Sequence, residues 1–185
     1  MSHAKPPPAF FLRTDRVGFR HWREDDLPLA TMLWSDPEVT RLIGGPFNAD
    51  AIHLRLAREI AQQQSHGVQY WPMFQMEDDA FAGCCGLRPY PREEDVYEIG
   101  FHLRPAFQGR GLANEAARAV IAYAFDALDA HALFAGHHPD NTGSAKALAK
   151  LGFRYDRDEF YEPTGRMHPS YLLTRSDFLA THPAR

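Results

Sequence analysis

Apolar and polar positions run along this chain in blocks whose period changes. Val17-Gly18-Phe19-Arg20-His21-Trp22 alternates loosely and predicts a first strand. Leu27, Ala30 and Leu33 then recur at helical spacing behind Asp25 or Asp26, either of which offers an N-cap. Ser35-Asp36-Pro37 restarts a short helix, with a capping residue ahead of a first-turn proline. A longer helix follows Asn48 or Asp50. Its apolar stripe is Ile52, Leu56 and Ile60, Arg55, Arg58 and Glu59 fall off that stripe, and Gly67 ends it.

Three strands are predicted next in quick succession, over 69–75, 81–87 and 97–103. The turn Met76-Glu77-Asp78-Asp79 and the loop Pro89 to Asp95 join them, and such short connections imply antiparallel hairpins. The pattern then changes. Residues 112–128 are almost wholly apolar, and Asn114, Glu115, Arg118 and Asp126 gather near one side of the helical wheel, so this helix buries most of its surface. A short strand over 133–136 and a helix over 144–151 follow, the latter with Ala145, Leu148 and Leu151 on one face, Lys150 in its last turn and Gly152 as the capping glycine. The tail offers strands around 155–162 and 170–174. Helices mixed with antiparallel strands in this order predict an α+β domain over residues 11–180, with one strand–helix–strand crossover from Leu103 to Gly136. Residues 1–10, with Pro6, Pro7 and Pro8 in succession, are expected to form a loose arm.

Composition narrows the function classes. The chain has 185 residues, 44% hydrophobic and 24% charged, which is ordinary for a globular domain and excludes disorder or a coiled coil. Its net charge of −4 supplies no bulk cationic field, so direct nucleic-acid binding is not expected and any anionic ligand must be held by local geometry. The two cysteines, Cys84 and Cys85, are adjacent in an apolar strand. That excludes a disulfide framework, leaves them as core residues, and fits a reducing cytoplasm. The apolar stretch after the prolines is too short for a signal-peptide core, and no run is long enough to span a membrane. Ten histidines include no His-x-x-x-His pair, so no metal site is expected, and His137-His138 would point to opposite faces of a strand.

The informative stretch is Phe101-His102-Leu103-Arg104-Pro105-Ala106-Phe107-Gln108-Gly109-Arg110-Gly111-Leu112-Ala113. A strand runs into a glycine-containing loop that opens a helix. Helix N-termini present unpaired N–H groups and partial positive charge, and glycines admit close backbone approach, so the pattern suits an anion cradle. Arg104, Arg110 and Arg118 outnumber Glu115 nearby. The loop lacks the Lys-Ser/Thr end of a nucleotide P-loop and the dinucleotide Gly-x-Gly-x-x-Gly spacing. An ordinary tight turn before a buried helix would use the same glycines.

Gln108-x-x-Gly111-x-Ala113 in this context resembles the acyl-CoA pyrophosphate motif of the GNAT N-acetyltransferase superfamily. A second block, Asn141-Thr142-Gly143-Ser144 through Lys150-Leu151-Gly152-Phe153, is placed like that family's second cofactor block. Asp36-Pro37-Glu38-Val39 and Glu98-Ile99-Gly100-Phe101 resemble the branch that acetylates ribosomal-protein alanines, the Rim-type branch. The resemblance covers roughly residues 10–178. It implies a twisted, mostly antiparallel sheet of about seven strands flanked by about four helices, splayed between the fourth and fifth strands. Acetyl-CoA would lie in that gap as cosubstrate, without a metal. Its pantetheine would pair with the backbone of Phe101, His102 and Leu103, and its pyrophosphate would take amides from Gln108, Gly109, Arg110, Gly111, Leu112 and Ala113.

The resemblance also suggests roles. Glu98, just before the pairing residues, is a candidate general base, with a substrate-ammonium anchor or a plain salt bridge as the alternatives. Asn141 is a candidate to orient pantetheine or thioester, and equally a helix cap. The family's proton-donating Tyr has no counterpart here: Leu148 stands in its place. Ser144, one turn earlier, is therefore the candidate donor to the leaving thiolate, against the alternative of a helix-start serine bonding its own backbone. The implied activity is N-acetylation of a primary amine, either a protein N-terminus or a small molecule, by direct attack. The implied assembly is a monomer or homodimer. A non-catalytic acyl-CoA-binding sensor of the same fold is the alternative that Leu148 sustains. For the acceptor side, topology nominates Arg41, Trp71, Arg88, Tyr90, Tyr97 and Tyr161.

Overall fold

The computed structural model describes residues 9–90 and 95–181. The chain opens with β1 (Leu12–Arg13) and β2 (Val17–Phe19), then α1 (Leu27–Trp34), α2 (Pro37–Thr40) and α3 (Ala49–His66). Three strands follow, β3 (Tyr70–Gln75), β4 (Phe81–Pro89) and β5 (Val96–Leu103). After α4 (Leu112–Asp126) come β6 (Ala132–Gly136), α5 (Thr142–Lys150), β7 (Arg154–Tyr161), β8 (Arg166–Thr174) and α6 (Arg175–Thr181). The strands form one eight-stranded sheet in the order β1-β2-β3-β4-β5-β6-β8-β7. Neighbours are antiparallel except β5 and β6, which the α4 crossover makes parallel.

The expected α+β architecture holds, with corrections at its edges. An extra two-residue strand, β1, pairs with β2, so the strands number eight rather than about seven. A tail helix, α6, follows β8 directly; Phe178 stacks on Phe125 at 4.9 Å, which is the burial that holds so short a helix in place. The second tail strand starts at Arg166, earlier than its apolar content suggested, because it pairs with β7 through polar positions. Of the arm expected over residues 1–10, residues 1–8 lie outside the described residues, while Phe10 packs its ring against Phe74. Residues 91–94 of the Pro89–Asp95 loop also lie outside them.

Helices cover both faces of the sheet, so β3 is buried at every position instead of at every other one. Trp71 and Met73 face one layer, built on α4, α5 and α6, whereas Tyr70 and Phe74 face the other, built on α1 and α3. In β4 the adjacent cysteines divide the same way: Cys84 faces α1 and α3, and Cys85 faces α4. The capping expectations hold at α2 and α3 but not at α1, where Asp26 stands at the N-cap with its carboxylate bonded to Arg20 and Arg23 N instead of the helix amides. Asp36 accepts from Glu38 N at 2.8 Å, Asn48 accepts from Ala51 N at 2.9 Å, and Gly67 closes α3 at φ 71°.

Candidate active site

The sheet splits where its parallel pair ends. β5 and β6 are paired at Val96/Ala132, Tyr97/Leu133 and Glu98/Phe134 and no further. Beyond that point β6 stays with β8 as far as Gly136/Ser170, while β5 stays with β4 as far as Gly83/Leu103. This is the splay expected between the fourth and fifth strands, renumbered by the presence of β1. The β5 edge over 99–103 therefore faces open space, with main-chain groups available to an extended ligand. A cleft of about 820 Å³ fills the gap.

The floor of the cleft on one side is the loop into α4. Gly109 and Gly111 hold φ of 70° and 78°, left-handed values that explain the residue type at both positions. A Cβ on Gly111 would meet only the Arg16 guanidinium, at 3.6 Å, so the requirement is conformational and the space beside it is open. As the first residues of α4, Leu112, Ala113 and Asn114 have no intrahelical acceptors for their amides. Gln108 has a different task. Its amide donates to Pro105 O at 3.1 Å and its side chain to Leu103 O at 2.9 Å, so it folds the loop back onto β5 instead of offering its N–H outward. Asn114 was not singled out from the sequence; its Oδ1 is buried without a partner and the residue lines the cleft.

The loop is braced from a distant part of the chain. Glu115 accepts from Thr14 Oγ1 at 2.5 Å and from Arg16 N at 3.0 Å, and pairs with the Arg16 guanidinium, which also donates to Arg110 O at 3.0 Å. Burial opposes the ionised carboxyl, but the hydrogen bonds from Thr14 and Arg16 and the Arg16 charge win and hold Glu115 below the usual range. The local basic character expected from Arg104 and Arg118 is redirected. Arg104 donates to Phe81 O at 2.8 Å and Arg118 to Lys150 O at 3.1 Å.

Across the gap, α5 begins at Asn141, whose Oδ1 accepts from Ser144 N at 3.0 Å. Asn141 is thus the cap, and its amide nitrogen keeps two donors free of that role. Both Asn141 and Ser144 line the cleft, as does Leu148, and among the described residues Ser144 Oγ makes no hydrogen bond. Phe101, Leu103, Gly109, Leu112 and Ala113 line it as well. The His102 side chain turns away into the α1 and α3 layer. Trp34 Nε1 donates to its Nδ1 at 3.4 Å and Cys84 Sγ lies 3.6 Å from the same nitrogen. That contact resembles a nucleophile pair, but burial first, then Glu59, pushes the Cys84 thiol up to about 12, and burial with Arg55 and Arg88 pushes His102 well down. Both groups are neutral, so no thiolate is available.

The wall that topology nominated for the acceptor is assembled from α3, β3, β4 and β5. Glu98 accepts from the Tyr70 hydroxyl at 2.9 Å, and the Tyr70 ring lies so close over Gly100 that a Cβ there would meet it at 2.4 Å. Glu59 is 0% exposed, accepts from Tyr70 N at 2.8 Å and pairs with Arg88, whose guanidinium lies 3.9 Å from the Tyr70 ring centre. Burial and the Glu98 charge push the Tyr70 hydroxyl well up. Arg55 and Glu59, expected off the apolar stripe of α3, project inward. The stripe is wider than its apolar members, since residues 52, 55, 56, 59 and 60 are consecutive neighbours on one helix face. Of the topological nominees, Arg41, Arg88, Tyr90 and Tyr161 line the cleft; Trp71 and Tyr97 pack toward α4 instead.

His137 and His138 lie just past β6, in the irregular segment before α5, so strand alternation does not apply to them. His137 Nδ1 donates to His138 O at 2.8 Å, which leaves Nε2 to accept from Tyr171 at 3.3 Å. Among the described residues no group of His, Cys, Asp or Glu is arranged to hold a metal, and no helix is long and apolar enough to cross a membrane.

The whole chain can be set beside known proteins at this point. Residues 16–154 match the model of the acetyltransferase (GNAT) domain. The uncharacterized N-acetyltransferase p20 of Bacillus licheniformis is 29% identical over 168 residues, covering 88% of this chain and 94% of that protein. The FsC-acetyl coenzyme A-N(2)-transacetylase of Aspergillus fumigatus is 30% identical over 160 residues, 78% of this chain and 67% of that one. In fold, a GNAT-family acetyltransferase from Bacillus anthracis superposes with a TM-score of 0.76 at 22% identity, over 89% of this chain and 98% of that one. RimL, a ribosomal alpha-N-protein acetyltransferase in complex with coenzyme A, superposes with a TM-score of 0.76 at 14% identity, over 90% and 98%. The split sheet, the glycine loop opening α4 and the matched domain agree, and the chain belongs to the GNAT family of acetyltransferases.

Proposed function

We propose that this protein transfers the acetyl group of acetyl-CoA to a primary amine by direct attack, as a Rim-type member of its family. The observation that carries the reading is the open β5 edge over 99–103 leading to the free amides at the start of α4. An extended ligand with amide groups and a diphosphate end matches that surface. When bound, acetyl-CoA supplies a thioester, an activated acyl group whose sulfur leaves readily.

The residues around the split divide the remaining work. Glu98 sits where the sheet parts and receives the proton of the attacking amine, directly or through water, while Tyr70 holds its carboxylate in place. Asn141, fixed as the α5 cap, directs its amide nitrogen into the cleft to orient the bound ligand. Ser144 Oγ, free of protein partners, gives a proton to the thiolate as the carbon–sulfur bond breaks and the carbon–nitrogen bond forms. Leu148 is buried beside it and has none to give.

Thermal unfolding titrated with acetyl-CoA, then turnover with a panel of amines, tests this. A ligand that binds only the folded state adds about 2.7 kcal/mol at a hundred times its dissociation constant. Stabilisation followed by thiol release with an amine is the expected result. Ser144→Ala should lower kcat by about 100-fold with the acetyl-CoA dissociation constant unchanged. Stabilisation with no transfer to any amine would replace the enzyme by an acyl-CoA sensor.

A further inference from the structure

The acceptor wall contains a guanidinium that forms no ion pair among the described residues. Arg88 is paired with Glu59 and lies on the Tyr70 ring. Glu59 is also bonded to Tyr70 N, and Glu98 holds the Tyr70 hydroxyl. Arg55 has no such arrangement. It stacks over Trp34 at 4.8 Å and Phe47 at 5.2 Å, its Nε is buried without a hydrogen-bond partner, and among the described residues its guanidinium forms no ion pair. Yet the residue lines the cleft, on the same side as Glu98 and Arg88. Stacking fixes the guanidinium plane, so the cost of ordering it is met before any ligand arrives.

We infer that the acetyl acceptor is an amino carboxylic acid, whose amine lies at Glu98 and whose carboxylate is received by Arg55. This inference rests on the acetyl-transfer reading above and adds the substrate class to it. A partly buried guanidinium without an ion pair gains from an opposite charge, and the fork of Arg55 matches a carboxylate in two parallel hydrogen bonds. Burial first, then the Arg88 charge, depress the Arg55 pKa against the opposing pull of Glu59. Tyr161, Glu98, Arg55 and Arg88 line one cleft, so anionic and cationic groups border the same space. A zwitterion is complementary to that space. A polyamine would bring a second positive charge against Arg55 and Arg88 and is disfavoured.

The test uses the full-length protein, acetyl-CoA, and three matched sets of amines: α- and β-amino acids, the same acids as amides, and the corresponding decarboxylated amines. Rates are referred to the free-base concentration of each amine. The wild type should prefer acids over their amides in kcat/KM. Arg55→Gln should reduce that acid-to-amide ratio by about 30-fold, the worth of a charge-assisted pair, through KM more than kcat. Arg55→Lys, which keeps the charge without the fork, should recover part of the ratio. Retained stabilisation of both variants by acetyl-CoA shows that they fold. Amides or plain amines used as well as acids by the wild type would overturn the inference and leave acetyl transfer standing. An unchanged ratio in Arg55→Gln would overturn it too. Succinyl-CoA accepted as donor in preference to acetyl-CoA, with that preference lost in Arg55→Gln, would assign the carboxylate to the acyl group instead. No transfer to any amine would remove the underlying reading and this inference with it.

Discussion

The two sides of the cleft are built in opposite ways. The side proposed for the cofactor is mostly local: a strand end, a loop and a helix start, contiguous over 101–113, shaped by the backbone angles of Gly109 and Gly111 and braced by Thr14 and Arg16. The acceptor side is non-local. Glu59, Tyr70, Arg88 and Glu98 come from four elements and meet through buried contacts across the sheet. A mostly local site depends chiefly on its own backbone conformation, with the Arg16–Glu115 contact as its long-range tie. A non-local one is inseparable from the packing that assembles it, so its residues serve stability and recognition together.

That contrast can be broken or sharpened. The largest effect is expected at Gly111→Trp. The strain at φ 78° costs about 1–2 kcal/mol, which a folded domain absorbs, but the indole occupies the space beside the α4 amides. Stabilisation by acetyl-CoA should disappear while the variant still unfolds cooperatively; normal stabilisation would show that the loop holds no ligand. Next is Glu59→Ala, which strands the Arg88 guanidinium and orphans Tyr70 N. Urea unfolding should show a loss of about 3–5 kcal/mol, and a loss under 1 would mean that this side is no more integral than the loop.

Glu98→Gln should cost about 10- to 100-fold in kcat/KM near neutral pH and progressively less as the pH rises and the amine loses its own proton. A deficit independent of pH would make Glu98 a positioning residue. The smallest effect concerns His168. Burial first, then His138 and His137, push its pKa from 6.5 down to about 4. Between those values the unfolded chain binds the proton that the folded chain refuses, so stability falls as pH drops from 6.5 to 4. His168→Asn should flatten that decline in melting temperature. It should not abolish it, because His102 is depressed in the same sense.

Much of the cofactor side was legible beforehand. Gln108-x-x-Gly111-x-Ala113 after an alternating strand states its own geometry, and Asn141 with Ser144 states a helix start. Gln108 is the instructive exception. Its type fits a ligand contact, but a glutamine so near a strand end can also reach back, and the bond to Leu103 O settles that it does. On the acceptor side the charged residues of α3 misled. Arg55 and Glu59 look solvated when burial is inferred from residue type, whereas their spacing from Ile52 and Leu56 already placed them on the inward face. Cys84 shows the converse. Its apolar surroundings predicted an inert core thiol, and the nearby His102 does not alter that because both are buried and neutral.

What the sequence determined by itself is the order and type of the elements, the crossover that makes β5 and β6 parallel, and the loop that opens α4. Each follows from periodicity, capping and glycine conformation within a window of a few residues. Only the tertiary structure decided that the β5–β6 pairing stops at Glu98/Phe134, that Thr14 and Arg16 brace the loop through Glu115, and that Arg55 lines the cleft with no ion pair among the described residues. Those facts depend on strand register and on which helix face turns inward, and contacts between residues tens of positions apart are set by packing of the whole chain rather than by any local segment of it.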